Sequence, residues 1–176
     1  MALFTNPPIA RRQAQLRLGD KILIYLGKIN RTIEVSAKAA FAESDFTEED
    51  VLNASLGYYY DLEKVEETEL NGEKVLKLNL KSRSKKNAYY RIESFINEKT
   101  LLPVKRNYYS FSNQKIRELQ VDVIKKEGGK IQYVHLTMYN SLRKGTYTGV
   151  TMQDFEFPKN LDDRMFTKRY MEIATQ

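Results

Sequence analysis

The chain has 176 residues, enough for one substantial core, and its 41% hydrophobic and 30% charged residues, with eight glycines and four prolines, exclude a disordered or low-complexity polymer. It has no cysteine, which excludes disulfides, thiolate metal sites and cysteine nucleophiles. The formal charge of +6 and pI near 9.3 favour an anionic partner, although 23 acidic residues interspersed among 29 basic ones make a mixed surface the commoner explanation.

No apolar run reaches the roughly 18 residues of a membrane helix, and residues 1–8 lack the basic-then-apolar layout of an export signal. In chain order, alternation of apolar and polar residues predicts strands at 13–18, 21–26 and 31–35. Thr47 then offers an N-cap to a short helix opening with Glu48-Glu49-Asp50, whose charges suit a helix N-terminus.

Strands are expected next at 58–67 and 73–81; in the latter, Leu76, Leu78 and Leu80 point one way and Val75, Lys77, Asn79 and Lys81 the other. At 89–97, Tyr90, Ile92 and Ile96 stand opposite Arg91 and Glu93. A strand at 104–111 precedes one at 116–124, where Leu119, Val121 and Val123 align. At 131–139, Val134, Leu136 and Met138 oppose Tyr133, His135 and Tyr139, and a last strand is expected at 147–157, before a helical turn over 162–170.

Turn residues separate these runs: Gly19-Asp20, Asn71-Gly72, Ser112-Asn113 and Gly128-Gly129. The expected architecture is therefore all-β, a meander within one domain spanning 1–176, in which each strand pairs with its sequence neighbour. An open sheet of this width must curl, and its apolar face needs a barrel closure, a helix or a ligand to cover it.

Catalytic chemistry finds little support. His135 is the only histidine, so a Ser/His/Asp arrangement or a histidine-ligated metal is not expected, and no glycine pattern builds a phosphate cradle. The carboxylates Asp45, Glu48, Glu49 and Asp50, or Asp162 and Asp163, are expected to cap helices and face water instead of forming a catalytic pair. Asn30-Arg31-Thr32 and Asn53-Ala54-Ser55 match the glycosylation triplet, which has meaning only on an export route. The basic run Lys81-Ser82-Arg83-Ser84-Lys85-Lys86 beside Tyr89 and Tyr90 reads as a solvated hairpin loop, with an anionic membrane, a protein or a nucleic acid as the alternative contact.

Read in order, several segments resemble the outer-membrane lipoprotein-sorting family of the LolA and LolB carriers. Asn6-Pro7-Pro8 and the run from Gln15 to Leu26 resemble its proline-then-strand hairpin, with Leu23 replacing an aromatic residue and Gly27 a proline. Ser44-Asp45-Phe46-Thr47 with Asp50-Val51 resembles its G-S-D-F-[ST]-x-x-D-[LIV] stretch, with Glu43 where the glycine stands. The hairpin from Glu69 to Lys81, the strand at Tyr90-Arg91-Ile92, the turn Leu101-Leu102-Pro103-Val104-Lys105, the strand at Met138-Tyr139-Asn140, the strand from Thr148 to Phe157 and the element from Leu161 to Thr167 follow in the family's order.

The resemblance implies an unclosed half-barrel with one or two short helices, which works in the periplasm as a carrier of lipoprotein acyl chains or lipids, uses no cofactor and catalyses no reaction. The wall that would hold acyl chains is expected at Leu76, Leu78, Leu80, Ile92, Ile96, Leu119, Val121, Val134, Leu136 and Met138. An inner-membrane transporter is an implied partner. The family's export signal and covering elements are not found ahead of the first strand, so a truncated chain that pairs with a second copy is also expected. The alternative is a non-catalytic interaction module whose core is filled; a nucleic-acid binder is less favoured.

Overall fold

The computed structural model of the chain describes residues 1–8, 10–52, 55–128 and 130–175, the side chain of Val123 excepted. Part of the glycosylation triplet at 53–55, the second glycine of the Gly128-Gly129 turn and the side-chain alignment of Val123 therefore fall outside the described residues. Two antiparallel sheets form. The first has four strands in sequence order, β1 (Ala2–Leu3), β2 (Gln13–Leu18), β3 (Lys21–Leu26) and β4 (Arg31–Val35). The second has seven, β5 (Tyr60–Leu70), β6 (Glu73–Ser82), β7 (Arg91–Asn97), β8 (Pro103–Tyr109), β9 (Lys115–Glu127), β10 (Lys130–Asn140) and β11 (Tyr147–Gln153).

Within each sheet every strand pairs with its chain neighbour, as the alternation predicts. The tightest hairpin shows why: Leu70 faces Glu73 across Asn71 and Gly72, whose φ values of 53° and 82° are those a primed two-residue turn demands. Register shifts at Leu62/Lys64, Phe95/Ile96, Tyr108/Tyr109, Ile131/Tyr133 and His135/Leu136 leave residues unpaired, which bends and coils the large sheet. Its edges, β5 and β11, do not meet, so the curl stays open.

Several expectations are corrected. The meander is broken between β4 and β5, where residues 36–59 cross from one sheet to the other. The strand expected from residue 58 begins at Tyr60, because Leu56–Tyr59 forms a helical turn, α2, after α1 (Glu48–Leu52). Tyr89 and Tyr90 precede β7 instead of opening it, and the strand expected to reach residue 157 stops at Gln153. The two-residue β1 has no room for alternation and gave no signal. A third helix, α3 (Lys168–Ile173), capped by Thr167 Oγ1 accepting from Tyr170 N, packs Met171 against Ala14, Leu16 and Tyr25 of the small sheet. Where the family pattern has proline, Gly27 donates its N–H to Arg12 O at 2.7 Å and has no room for a side chain, which a proline could not satisfy.

Candidate functional site

The register brings the ten predicted wall residues onto one face of the large sheet. Leu80 stands opposite Ile92, Leu76 opposite Ile96, Leu119 opposite Met138 and Val121 opposite Leu136. Leu78 and Val134 each lie two residues from such a partner in their own strand and so share the face. The reverse face is charged: Glu93 meets Lys77 at 3.2 Å and Arg91 at 2.7 Å, and Glu118 meets Lys105 at 2.9 Å.

The inner face divides in two. Leu80, Ile92, Leu119 and Met138 are buried in a core completed by Phe46, Tyr60, Tyr89 and Tyr108, with Leu78 and Leu136 packed on its margin. Leu76, Ile96 and Val121 stand outside that core and are only half-buried, and Val134 is buried apart from it. Beside them Val65, paired with Leu78, and Met152, paired with Val134, are 49% and 39% exposed. One half is filled by the chain; the other is an apolar stretch that solvent reaches in part.

The filling comes from the segment 41–52, whose sequence makes a self-closed strap. Phe41 N donates to Phe46 O at 2.9 Å, Ser44 Oγ donates to Phe41 O at 2.6 Å, and Ala42 and Glu43 take left-handed φ values of 47° and 60°. Glu43 thus sits where the family pattern has glycine, in a conformation glycine adopts at no steric cost. The turn aims Phe46 into the large sheet. Thr47 N and Oγ1 donate to Asp50 Oδ2 at 2.7 and 2.8 Å while Asp50 N donates to Thr47 Oγ1, so the expected cap forms.

Four acidic side chains pin the strap to four places. Asp45 accepts from Asn140 Nδ2 and Thr148 Oγ1, both at 3.0 Å, which anchors one end to β10 and β11. Glu48 accepts from Gln15 Nε2 of β2 at 3.1 Å. Glu49 accepts from the Tyr60 hydroxyl and from Ala88 N, and Asp50 from the Tyr89 hydroxyl at 2.6 Å. Asp45 and Asp50 are half-buried, and the expectation that these carboxylates face water is overturned for Glu48 and Glu49, which are 1% and 2% exposed. The helix they open is so short that docking it in the half-barrel carries its whole first turn inside, where phenols and amides replace water as donors.

Burial pushes the Glu48 carboxyl up to about 7, against the Gln15 hydrogen bond. It also raises Glu49, against Tyr60 and Ala88, and Asp50, against Tyr89 and Thr47. Glu48 Oε2 and Gln15 Oε1 have no hydrogen-bond partner, an arrangement that suits a neutral carboxyl between the two sheets. A polar cavity of about 90 Å³ lies between Glu49, Asp50, Leu56, Tyr89, Ile92, Arg106 and Tyr108. Its phenols and carboxyls hold one another in place, and the chain's single histidine is elsewhere: His135 contacts Thr151 Oγ1 at 2.9 Å, on the face opposite the wall.

Sequence reasoning missed that the acidic strap is a plug, and Tyr89 was misplaced with it. Tyr89 is 1% exposed, 4.3 Å from the Tyr108 ring, and so is withdrawn from any base-stacking role beside the basic loop. The available signal was the density of hydrogen-bonding aromatics, Tyr58-Tyr59-Tyr60 and Tyr89-Tyr90, at the ends of two strands.

The fold has solved relatives. A LolA superfamily protein from Nitrosomonas europaea superposes with a TM-score of 0.81 at 19% identity, over 96% of this chain and 76% of that one. A putative outer membrane lipoprotein-sorting protein domain from Vibrio parahaemolyticus gives 0.81 at 18% identity, over 97% and 75%. A DUF1329 family protein from Desulfovibrio piger gives 0.74 at 21% identity, over 99% and 75%. No curated protein matches the chain significantly. A family model described as "Uncharacterized protein" matches residues 1–173. The chain belongs to that family, and its open antiparallel fold is similar to those of the LolA superfamily protein and the lipoprotein-sorting domain.

Proposed function

We propose that the protein is a periplasmic carrier that holds acyl chains of lipoproteins or lipids against the open half of its inner face. The observation that carries this reading is the half-buried wall of Leu76, Ile96 and Val121 with Leu136 at its margin, lying beside a core that is already filled. Each methylene moved from water onto such a wall contributes up to about 0.8 kcal/mol, so a single chain covering part of it binds without covalent chemistry. The likeness to a lipoprotein-sorting domain supports the same direction.

Val134, buried on the same face, borders the proposed wall, whereas Leu80, Ile92, Leu119 and Met138 pack in the neighbouring core and do not touch the ligand. Mass spectrometry of solvent extracts from protein purified without detergent tests the reading. Co-purifying acyl chains in the wild type, reduced several-fold in Ile96→Asp, are expected. Protein empty of lipid, and unable to take up a fluorescent fatty acid, contradicts it and favours a filled interaction module.

A further inference from the structure

The end of β6 and the loop after it carry the run Lys81-Ser82-Arg83-Ser84-Lys85-Lys86, which the carrier reading leaves unused. Two of its cations are neutralised on β5, Lys81 by Glu63 at 3.2 Å and Arg83 by Asp61 at 2.7 Å. Lys85 and Lys86 are not. They line an open cleft of about 660 Å³ together with Lys21 from the start of β3 and Lys38 from the segment after β4. Among the described residues none of these four lysines is ion-paired, although Lys38 Nζ lies 4.7 Å over the Phe111 ring, and only Asp20 and Glu34 supply opposite charge in the cleft.

The loop is held in place. Asn87, 4% exposed, donates from Nδ2 to Tyr59 O and to Ser82 Oγ, both at 2.9 Å, and Lys86 N donates to Ser84 Oγ at 3.1 Å. Its two ammonium groups therefore leave from fixed backbone. In the same cleft Leu18 and Tyr58 are 42% and 67% exposed, apolar surface that a purely aqueous cleft has no use for.

We propose that this cleft docks the protein on an anionic phospholipid surface, the lysines meeting headgroup phosphates while Tyr58 and Leu18 enter the interfacial layer. Cations converging from three segments match a negative surface, and an exposed tyrosine beside an exposed leucine matches the apolar boundary beneath it. A nucleic acid fits less well. Strand binding uses a series of open rings, but Tyr89 is buried and Tyr90 is packed 5.5 Å from Phe111. The proposal is independent of the acyl wall, which lies on other residues.

Co-sedimentation with vesicles tests it: phosphatidylglycerol mixed with phosphatidylcholine, against phosphatidylcholine alone. The wild type partitions onto the mixed vesicles only, and less as salt rises. Lys85→Gln/Lys86→Gln weakens partition about 30-fold, from the roughly fivefold that each lysine near the surface contributes. Lys126→Gln/Lys144→Gln, an equal charge change outside the cleft, changes it less than about threefold. Three results would overturn the proposal: equal binding to neutral vesicles, equal losses in both double variants, or capture of inorganic phosphate or single-stranded DNA with no partition onto vesicles.

Discussion

The two halves of the inner face are built from the same alternating strands, yet one is a core and the other is a surface. Ile92 and Met138, both 0% exposed, share one buried core with Phe46 of the strap and with Tyr60, Tyr89 and Tyr108. Leu76, Ile96 and Val121 stand outside that core and remain half-buried. A strand pattern thus decides which side chains share a face but not what covers them; the cover comes from a segment with no periodicity at all.

Substitutions separate the halves. Phe46→Ala removes the ring that seals the filled half and should cost about 3–5 kcal/mol, read as a shift in denaturant midpoint. Ile96→Ala, at a half-buried position outside the filled core, should cost only about 1–2 kcal/mol, because less of the side chain leaves a packed environment, but should lower fatty-acid uptake several-fold. Equal costs at the two sites would mean that the halves are not distinct.

The strap's acids give the next effect, a dependence of stability on pH. Glu48 keeps its proton in the fold up to about 7 and loses it near 4.5 when exposed, so the native state holds the extra proton between those values. Stability from this group is complete below 4.5 and is lost as pH rises through 7. Glu49 and Asp50 act in the same direction. The reverse face does the opposite: for Glu93, burial is outweighed by Tyr109, Arg91, Asn107 and Lys77, and for Glu118 by Lys115, Lys105 and Gln120, so both fall to about 2. Their contribution is present above the usual 4.5 and is lost as pH drops toward 2. Glu48→Gln should flatten the loss between 4.5 and 7 in unfolding midpoints without altering the acid limb.

The smallest effect is at the turn of the strap. Glu43→Gly relieves a left-handed backbone at φ 60° and should stabilise the fold by up to about 1 kcal/mol, seen as a small rise in Tm.

Most of the framework was legible from residues: ten strands fell within a few residues of where alternation placed them, because most have one drier face and hairpin turns that fix register. That the ten residues of the expected wall share one face of the sheet was legible for the same reason. What stayed hidden was the split between them, since it depends on Asp45 reaching Asn140 and Thr148 across more than ninety residues, a contact without a local signature. The acids of 48–50 misled for a related reason. A charged first turn reads as solvent-facing unless phenols such as Tyr60 and Tyr89 are known to lie opposite.

Paramagnetic broadening of methyl NMR signals by a spin-labelled fatty acid tests the division of the inner face most directly. Broadening of Leu76, Ile96, Val121 and Leu136, with Leu80, Ile92 and Met138 left sharp, is the predicted result. Broadening of the second group, or of neither, would contradict it.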